Sequence, residues 1–244
     1  MYPQPRPAII LLEPREKLVG WLYLPFYILL LPLVLGVIAG LLLTLLGLTL
    51  EEEALSIHLN FAYGIVNFCF AGIFFRRYLV KSARQIPQFP DRFFAALFGG
   101  FGMYLLGNLV MGTLTQIISP GMENINDAAI GTMVGSGALE MLIYTVVLVP
   151  LAEETLFRGL IFTTLRPHSR FAAYAVTMIV FSAIHVLSYI GTAPMLTIIL
   201  CFIQYLPASF ALAWALEYSG SIWASIGIHT AANAFSMIGM LLIT

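Results

Sequence analysis

The chain has 244 residues, of which 60% are hydrophobic and only 9% are charged, with a formal net charge of −1. Soluble globular domains carry about 25% charged residues, so this composition excludes an ordinary soluble domain and predicts a polytopic membrane protein. Neither the net charge nor any basic run indicates a nucleic-acid partner, which leaves membrane lipid as the expected surroundings. No polar stretch is long enough for a separate soluble domain, so one integrated helical bundle is expected.

The amino-terminal sequence MYPQPRP lacks the basic region and short apolar core of a cleavable signal peptide. The first apolar segment is therefore expected to stay in the membrane as an anchor. Cys69 and Cys201 both lie in apolar segments, and we interpret them as small core residues, not as a disulfide or a metal pair.

Runs of about 20 apolar residues predict membrane-spanning helices. Seven candidates cover about 18–49, 57–79, 93–118, 138–165, 171–190, 195–217 and 220–243. The polar-leaning stretch 119–137 is predicted to be a surface loop or a re-entrant turn. The fold class that follows is all-α, a polytopic membrane bundle of about seven helices.

The positive charges support this topology. Apart from Arg158, the other ten Lys and Arg residues lie in the amino-terminal tail and in the connections after spans two and four. The intervening connections contain no Lys or Arg and carry Glu51–Glu53, Glu123 and Asp127 instead. Because cytoplasmic loops are enriched in Lys and Arg, the pattern predicts a cytoplasmic amino terminus and a carboxyl terminus on the opposite side.

Three polar clusters interrupt separate apolar spans at a similar depth. Glu153, Glu154 and Arg158 lie in span four, His185 in span five, and His229 with Asn233 in span seven. At about 1.5 Å per residue, these groups lie roughly 14–22 Å from the basic ends of their helices. Ionisable residues at such a depth are expected to face the bundle interior, so the clusters are predicted to meet around one wet pocket.

Spacing along each helix divides the roles. Glu154 and Arg158 share a helix face and can form an internal ion pair, whereas Glu153 points about 100° away and is expected to face the pocket. A desolvated carboxylate can act as general base on water, and a histidine can orient that water. Histidine and asparagine donors can stabilise an oxyanion, and together these groups indicate amide hydrolysis.

These residues also resemble a known family. E-E-x-x-x-R (Glu153, Glu154, Arg158), F-x-x-x-H (Phe181, His185) and H-x-x-x-N (His229, Asn233), in this order, resemble the CPBP family. That family includes type II CAAX prenyl proteases (Ras-converting enzymes) and bacteriocin-immunity relatives. The resemblance covers about 140–240, and its CAAX-type members show eight spans, so an eighth transmembrane helix is the alternative to seven.

The resemblance implies an intramembrane endopeptidase acting on membrane-associated peptides or lipidated proteins, with prenylated CAAX-type substrates among them. Glu153 would activate water, His185 would work on the same water, and His229 with Asn233 would form the oxyanion site. Glu154, Arg158 and Phe181 would support them. Residues 138–244 would then be the catalytic core, and 1–137 would supply about three spans and an outer loop.

Two alternatives remain open at this stage. The resemblance implies no cofactor, but Glu153, His185 and His229 could instead furnish three zinc ligands and leave one position for water. The protein could also be a non-catalytic membrane scaffold or immunity protein that keeps the polar cluster for binding. No H-E-x-x-H zinc motif is present. Short termini without soluble domains favour a prokaryotic plasma membrane, and the sequence does not predict an oligomeric state.

Overall fold

The structure is a computed structural model that describes residues 7–242, so Arg6 of the basic tail lies outside the described residues. These residues form helices and contain no strand. The helices are α1 (Pro14–Leu46), α2 (Glu52–Phe74), α3 (Arg76–Ala83), α4 (Pro90–Ile118), α5 (Ile125–Leu165), α6 (Arg170–Ile184), α7 (Met195–Ser219) and α8 (Ile222–Leu241). Short 3₁₀ turns lie at Ile86–Gln88 and Leu187–Tyr189.

Five of the described helices are long and apolar enough to cross a membrane, namely α1, α2, α4, α5 and α7, with 33, 23, 29, 41 and 25 residues. The predicted all-α polytopic bundle is therefore confirmed. The two other predicted spans correspond to α6, with 15 residues, and α8, with 20 residues. At about 1.5 Å per residue α6 is about 22 Å long, shorter than a hydrocarbon core of about 30 Å, so the count of seven stays a prediction.

The predicted loop over 119–137 is wrong in its second part. Helix α5 begins at Ile125, because the side-chain oxygen of Asn124 accepts hydrogen bonds from the backbone N–H groups of Asn126 (3.0 Å) and Asp127 (3.3 Å). Such a cap satisfies donors that the first helical turn otherwise leaves free. The helix is kinked at Gly137 (φ −148°, ψ 51°). The prediction failed because the polar composition of this stretch is also compatible with a capped helix. The connection between α4 and α5 is therefore 119–124 only.

The carboxyl-terminal half of α5 lies at the centre of the bundle. Every residue from 150 to 163 is buried, on all sides of the helix. Helix α5 packs there against α2, α6 and α8, with α1 and α7 completing the surroundings. A helix that is apolar all round belongs inside a protein, and this placement keeps the charges that it carries away from lipid.

Pro150 changes the hydrogen bonding of α5 just before these charges. The residues ahead of it, Tyr144–Leu148, form a π-helical turn, and a second π segment covers Thr155–Phe162. Proline has no N–H, and its ring displaces the carbonyl four residues earlier, which here is that of Val146. The hydroxyl of Thr230 in α8 donates to that carbonyl at 3.1 Å. A side chain of α8 therefore satisfies a carbonyl that α5 cannot use.

The end of the bundle that carries the basic connections is tied together by polar contacts. Glu13 accepts hydrogen bonds from Arg77 (2.9 Å) and Lys81 (2.7 Å), and these charges hold the pKa of its carboxyl below the ordinary value, with Lys81 the larger cause. At the same end, Arg166 and Arg170 both pair with Glu217. The basic segments therefore meet at one end, as alternating spans require.

Candidate active site

Glu154 and Arg158 form the ion pair that their spacing predicts. Nη1 of Arg158 donates to Oε1 of Glu154 at 2.8 Å, and both side chains are fully buried. Nη2 of Arg158 donates to the hydroxyl (2.9 Å) and the carbonyl (3.2 Å) of Ser209 in α7. The guanidinium lies 4.2 Å from the ring centroid of Phe181 in α6. The pair thus joins α5 to α6 and α7 at the bundle centre.

His229 is also bonded to Glu154, a contact that the sequence did not predict. Its Nδ1 lies 2.8 Å from the same Oε1 that accepts from Arg158. The carboxylate can only accept, so Nδ1 of His229 carries the proton and Nε2 is left for the cavity. One oxygen of Glu154 therefore serves two partners, and its Oε2 is buried without a hydrogen-bond partner among the described residues.

Glu153 points elsewhere, as expected for adjacent residues on one helix. Its Oε1 accepts a hydrogen bond from the hydroxyl of Tyr27 in α1 at 3.1 Å. Its Oε2 has no hydrogen-bond partner among residues 7–242, although the side chain is only 7% exposed. The hydroxyl of Tyr63 in α2 donates to the carbonyl of Tyr27 at 3.1 Å. The first two helices thus fix one oxygen of Glu153 and leave the other one free.

His185 lies at the end of α6, where the helix gives way to a 3₁₀ turn. Its Nδ1 is 2.8 Å from the carbonyl oxygen of Phe181, which fixes the proton on Nδ1 and leaves Nε2 as an acceptor in the neutral ring. The ring stacks on Tyr205 of α7, with centroids 4.3 Å apart and planes inclined by 29°. Both contacts hold the imidazole in one orientation.

Asn233 has a structural partner that the sequence did not predict. Its Nδ2 donates to the carbonyl of Thr145 at 2.7 Å, one residue before the carbonyl that Thr230 satisfies. An amide nitrogen carries two protons, so one N–H of Asn233 remains for another acceptor. Pro150 is the only signal in the sequence that could have indicated these two contacts, because it predicts carbonyls of α5 without a helical donor.

Glu153, His185, His229 and Asn233 all lie on the wall of one cavity of about 1230 Å³. Phe181 also lines this cavity, while Glu154 and Arg158 lie behind its wall. The structure therefore brings the four predicted site residues to a common space and places the ion pair outside it. Tyr27 and Ser209, which contact the site from α1 and α7, were missed because nothing in their sequence surroundings distinguishes them from other residues of apolar spans.

The zinc alternative stays a prediction. Within the described part of the chain, no group of three or more His, Cys, Asp or Glu side chains is placed to hold a metal ion. Glu153, His185 and His229 nevertheless line the same cavity, so the effect of a chelator on cleavage is the test of this alternative.

One of the comparisons with known proteins gives a match. Residues 135–235 match the family model described as Rce1-like, type II CAAX prenyl endopeptidase Rce1-like. Neither the curated proteins nor the solved structures give a match to the chain. The matched segment runs from the kink in α5 into α8 and contains all seven motif residues, and it excludes Tyr27 and Tyr63. This match supports a CPBP family, CAAX-type intramembrane protease, to which the chain is similar over this segment.

Proposed function

We propose that the protein is a glutamate-dependent intramembrane endopeptidase that hydrolyses peptide bonds of membrane-associated substrates. The observation that carries this proposal is the contrast between two adjacent carboxylates. Oε1 of Glu154 accepts from both Arg158 and His229, and this residue lies behind the cavity wall, whereas Glu153 lines the cavity with an Oε2 that has no partner among the described residues. An unpartnered carboxylate oxygen at a cavity wall is placed to bind water or substrate, which the buried Glu154 cannot reach.

In the proposed reaction, Oε2 of Glu153 accepts a proton from water while the water oxygen attacks the carbonyl carbon of the scissile bond. His185, with its Nδ1–H donated to Phe181, presents Nε2 as an acceptor that orients the same water. The proton held by Glu153 then passes to the leaving amine as the C–N bond breaks. Tyr27 acts as a positioning residue, because its hydroxyl fixes Oε1 and therefore the direction of Oε2.

The remaining N–H of Asn233 and the Nε2 of His229 are the proposed oxyanion donors. His229 can donate from Nε2 only when both of its ring nitrogens carry protons, because Nδ1–H is already directed at Glu154.

The apolar helices support an integral membrane protein, and the distribution of Lys and Arg supports an orientation with the basic end of the bundle in the cytoplasm. The plasma membrane of a prokaryote as its location stays a prediction. The division of labour between the two halves of the chain is also a proposal. Residues 138–244 supply the reacting groups, and the first helices supply Tyr27 and Tyr63, which act on Glu153 from outside the matched segment.

The test compares two conservative changes at neighbouring positions. Glu153→Gln keeps size and hydrogen bonding but removes the base, so we expect a folded protein with cleavage reduced by at least about 100-fold. Measurement requires the purified protein, a peptide library and mass spectrometry of the products. Continued cleavage of a verified substrate by Glu153→Gln at the parent rate would show that this carboxylate is not the base.

Glu154→Gln is the matched control, and it distinguishes a catalytic carboxylate from one that stabilises the fold. It removes the charge that compensates Arg158, so its main expected effect is a loss of stability. If the biological effect of the protein survives Glu153→Gln without any cleavage, a scaffold or immunity role is favoured instead.

A further inference from the structure

The cavity extends from the middle of the bundle toward the end opposite the basic connections. Its lining residues near the middle include Tyr27, Glu153, Leu212 and His229, and most of the others come from the helix parts nearer the acidic connections, in α2, α4, α5 and α6. Glu153 lies deep in the cavity, whereas Glu52, Glu53, Asn124 and Asp127 lie on its wall at or near helix ends. We call the end that carries them the acidic end.

The opposite end, beneath Glu153, is closed by packing. Every residue from 154 to 163 is buried, and Phe75 and Tyr78 are also buried beside this part of α5. The side chain of Gln85 donates to the carbonyl of Ala8 at 2.8 Å, which ties the amino-terminal segment across the basic end. The packed segment 154–163 separates Glu153 from the basic connections, and no described lining residue of the cavity belongs to those connections.

The wall of the cavity is also one-sided in charge. It contains Glu52, Glu53, Asp127 and Glu153, and none of its described lining residues is Lys or Arg. Glu53 accepts a hydrogen bond from Ser136 at 2.5 Å and Asp127 accepts one from Tyr205 at 3.4 Å, both from neutral hydroxyls. A concave surface with carboxylates of one sign attracts ligands of the opposite charge and raises their rate of association.

We infer that the site takes cationic peptide segments presented at the acidic end, the face of the membrane opposite the basic connections. By the positive-inside rule that face is extracytoplasmic, so the substrates are membrane-associated peptides with Lys or Arg close to the cleaved bond on the outer side. This inference rests on the proposed function. It narrows the substrates of that function from any membrane-associated peptide to cationic peptides on the extracytoplasmic side of the membrane.

The side of access can be measured without any hydrolysis. In a background with Cys69 and Cys201 replaced by Ala, single cysteines are introduced at Ser56 or Thr145, which both line the cavity, and tested with a small membrane-impermeant thiol reagent. Glu51→Cys and Arg84→Cys mark the acidic and the basic end. Right-side-out and inverted vesicles are compared in parallel.

We expect both cavity cysteines to react in the same vesicle orientation as Glu51→Cys. Reaction in the orientation of Arg84→Cys, or no reaction in either orientation, would overturn the inference. A failure of Glu153→Gln to alter cleavage would remove the proposed function while leaving this access result intact, so the two failures are distinguishable.

The charge of the substrate is tested by binding to Glu153→Gln protein, which requires no turnover. A fluorescent peptide with Lys residues beside an apolar core is compared with the same peptide carrying Glu. In low salt, we expect the change of Glu52, Glu53 and Asp127 to their amides to weaken binding of the Lys peptide by about 10-fold and to remove most of its salt dependence. Asp91→Asn, a carboxylate change at the basic end, is the matched control. Equal affinity for both peptides, or an equal effect of Asp91→Asn, would overturn the inference.

Discussion

Removal of the guanidinium at the bundle centre is expected to destabilise the protein strongly. In Arg158→Met the volume is largely kept, but Glu154 remains fully buried with His229 as its only partner. Breaking a buried ion pair by removing one partner costs about 3–5 kcal/mol, and loss of the contact with the Phe181 ring adds up to about 2 kcal/mol. The free energy of unfolding, measured in detergent micelles titrated with SDS, is the readout.

A second change separates the charge effect from the loss of packing. In the double variant Glu154→Gln, Arg158→Met no uncompensated charge of the pair remains, so most of the lost stability is expected to return. The matched control is Arg166→Met. The Arg166 side chain is 33% exposed, and its Nε lies 2.5 Å from Oε1 of Glu217. That change is expected to cost less than about 1 kcal/mol. The reasoning is refuted if Arg158→Met lies within about 1 kcal/mol of the parent, or if the double variant is as unstable as the single one.

Three further outcomes test other parts of the site. Tyr27→Phe removes a hydrogen bond to a carboxylate, which is worth about 1.5–3 kcal/mol, so we expect kcat/KM to fall about 10–100-fold with little change in folding. Unchanged turnover would show that Tyr27 does not position Glu153. Gly64→Ala would place a methyl group 2.6 Å from Cδ2 of Tyr144, and we expect it to lower the free energy of unfolding by about 1–3 kcal/mol. Gly72→Ala on the same helix is the control, because its methyl group meets nothing within 4 Å and should be neutral or stabilising. Equal melting temperatures of the two variants would contradict this packing. Prolonged treatment with a tight chelator is expected to leave peptide cleavage intact, and loss that zinc restores would show that the enzyme uses metal.

The sequence predicted the parts of this structure that follow from polarity and periodicity. Apolar run length indicated the helical bundle, and the i,i+4 spacing indicated the pair of Glu154 with Arg158. The 100° separation of adjacent residues indicated different partners for Glu153 and Glu154. These rules act within a helix or between helix and lipid, so a single sequence is sufficient to apply them.

Contacts between distant helices could not be predicted in the same way. Tyr27 meets Glu153 across 126 positions of the chain, and no local pattern marks such a meeting. The polar segment before Gly137 was predicted to be a loop because composition does not reveal that Asn124 caps a helix there. Asn233 was expected to face only the cavity, but one of its protons satisfies a carbonyl of α5.

The wide turns on either side of Glu153 and Glu154 make the number of residues in α5 important, as well as their identity. A π segment accommodates a surplus residue relative to an ordinary helix. Deleting any one residue between Thr155 and Phe162 could restore regular winding, but it would rotate everything beyond the deletion by about 100° relative to Glu153. Arg166, at the start of the basic connection, would then lose its ion pair with Glu217. Engineering or alignment of this helix must therefore preserve the number of residues between Glu154 and Arg166.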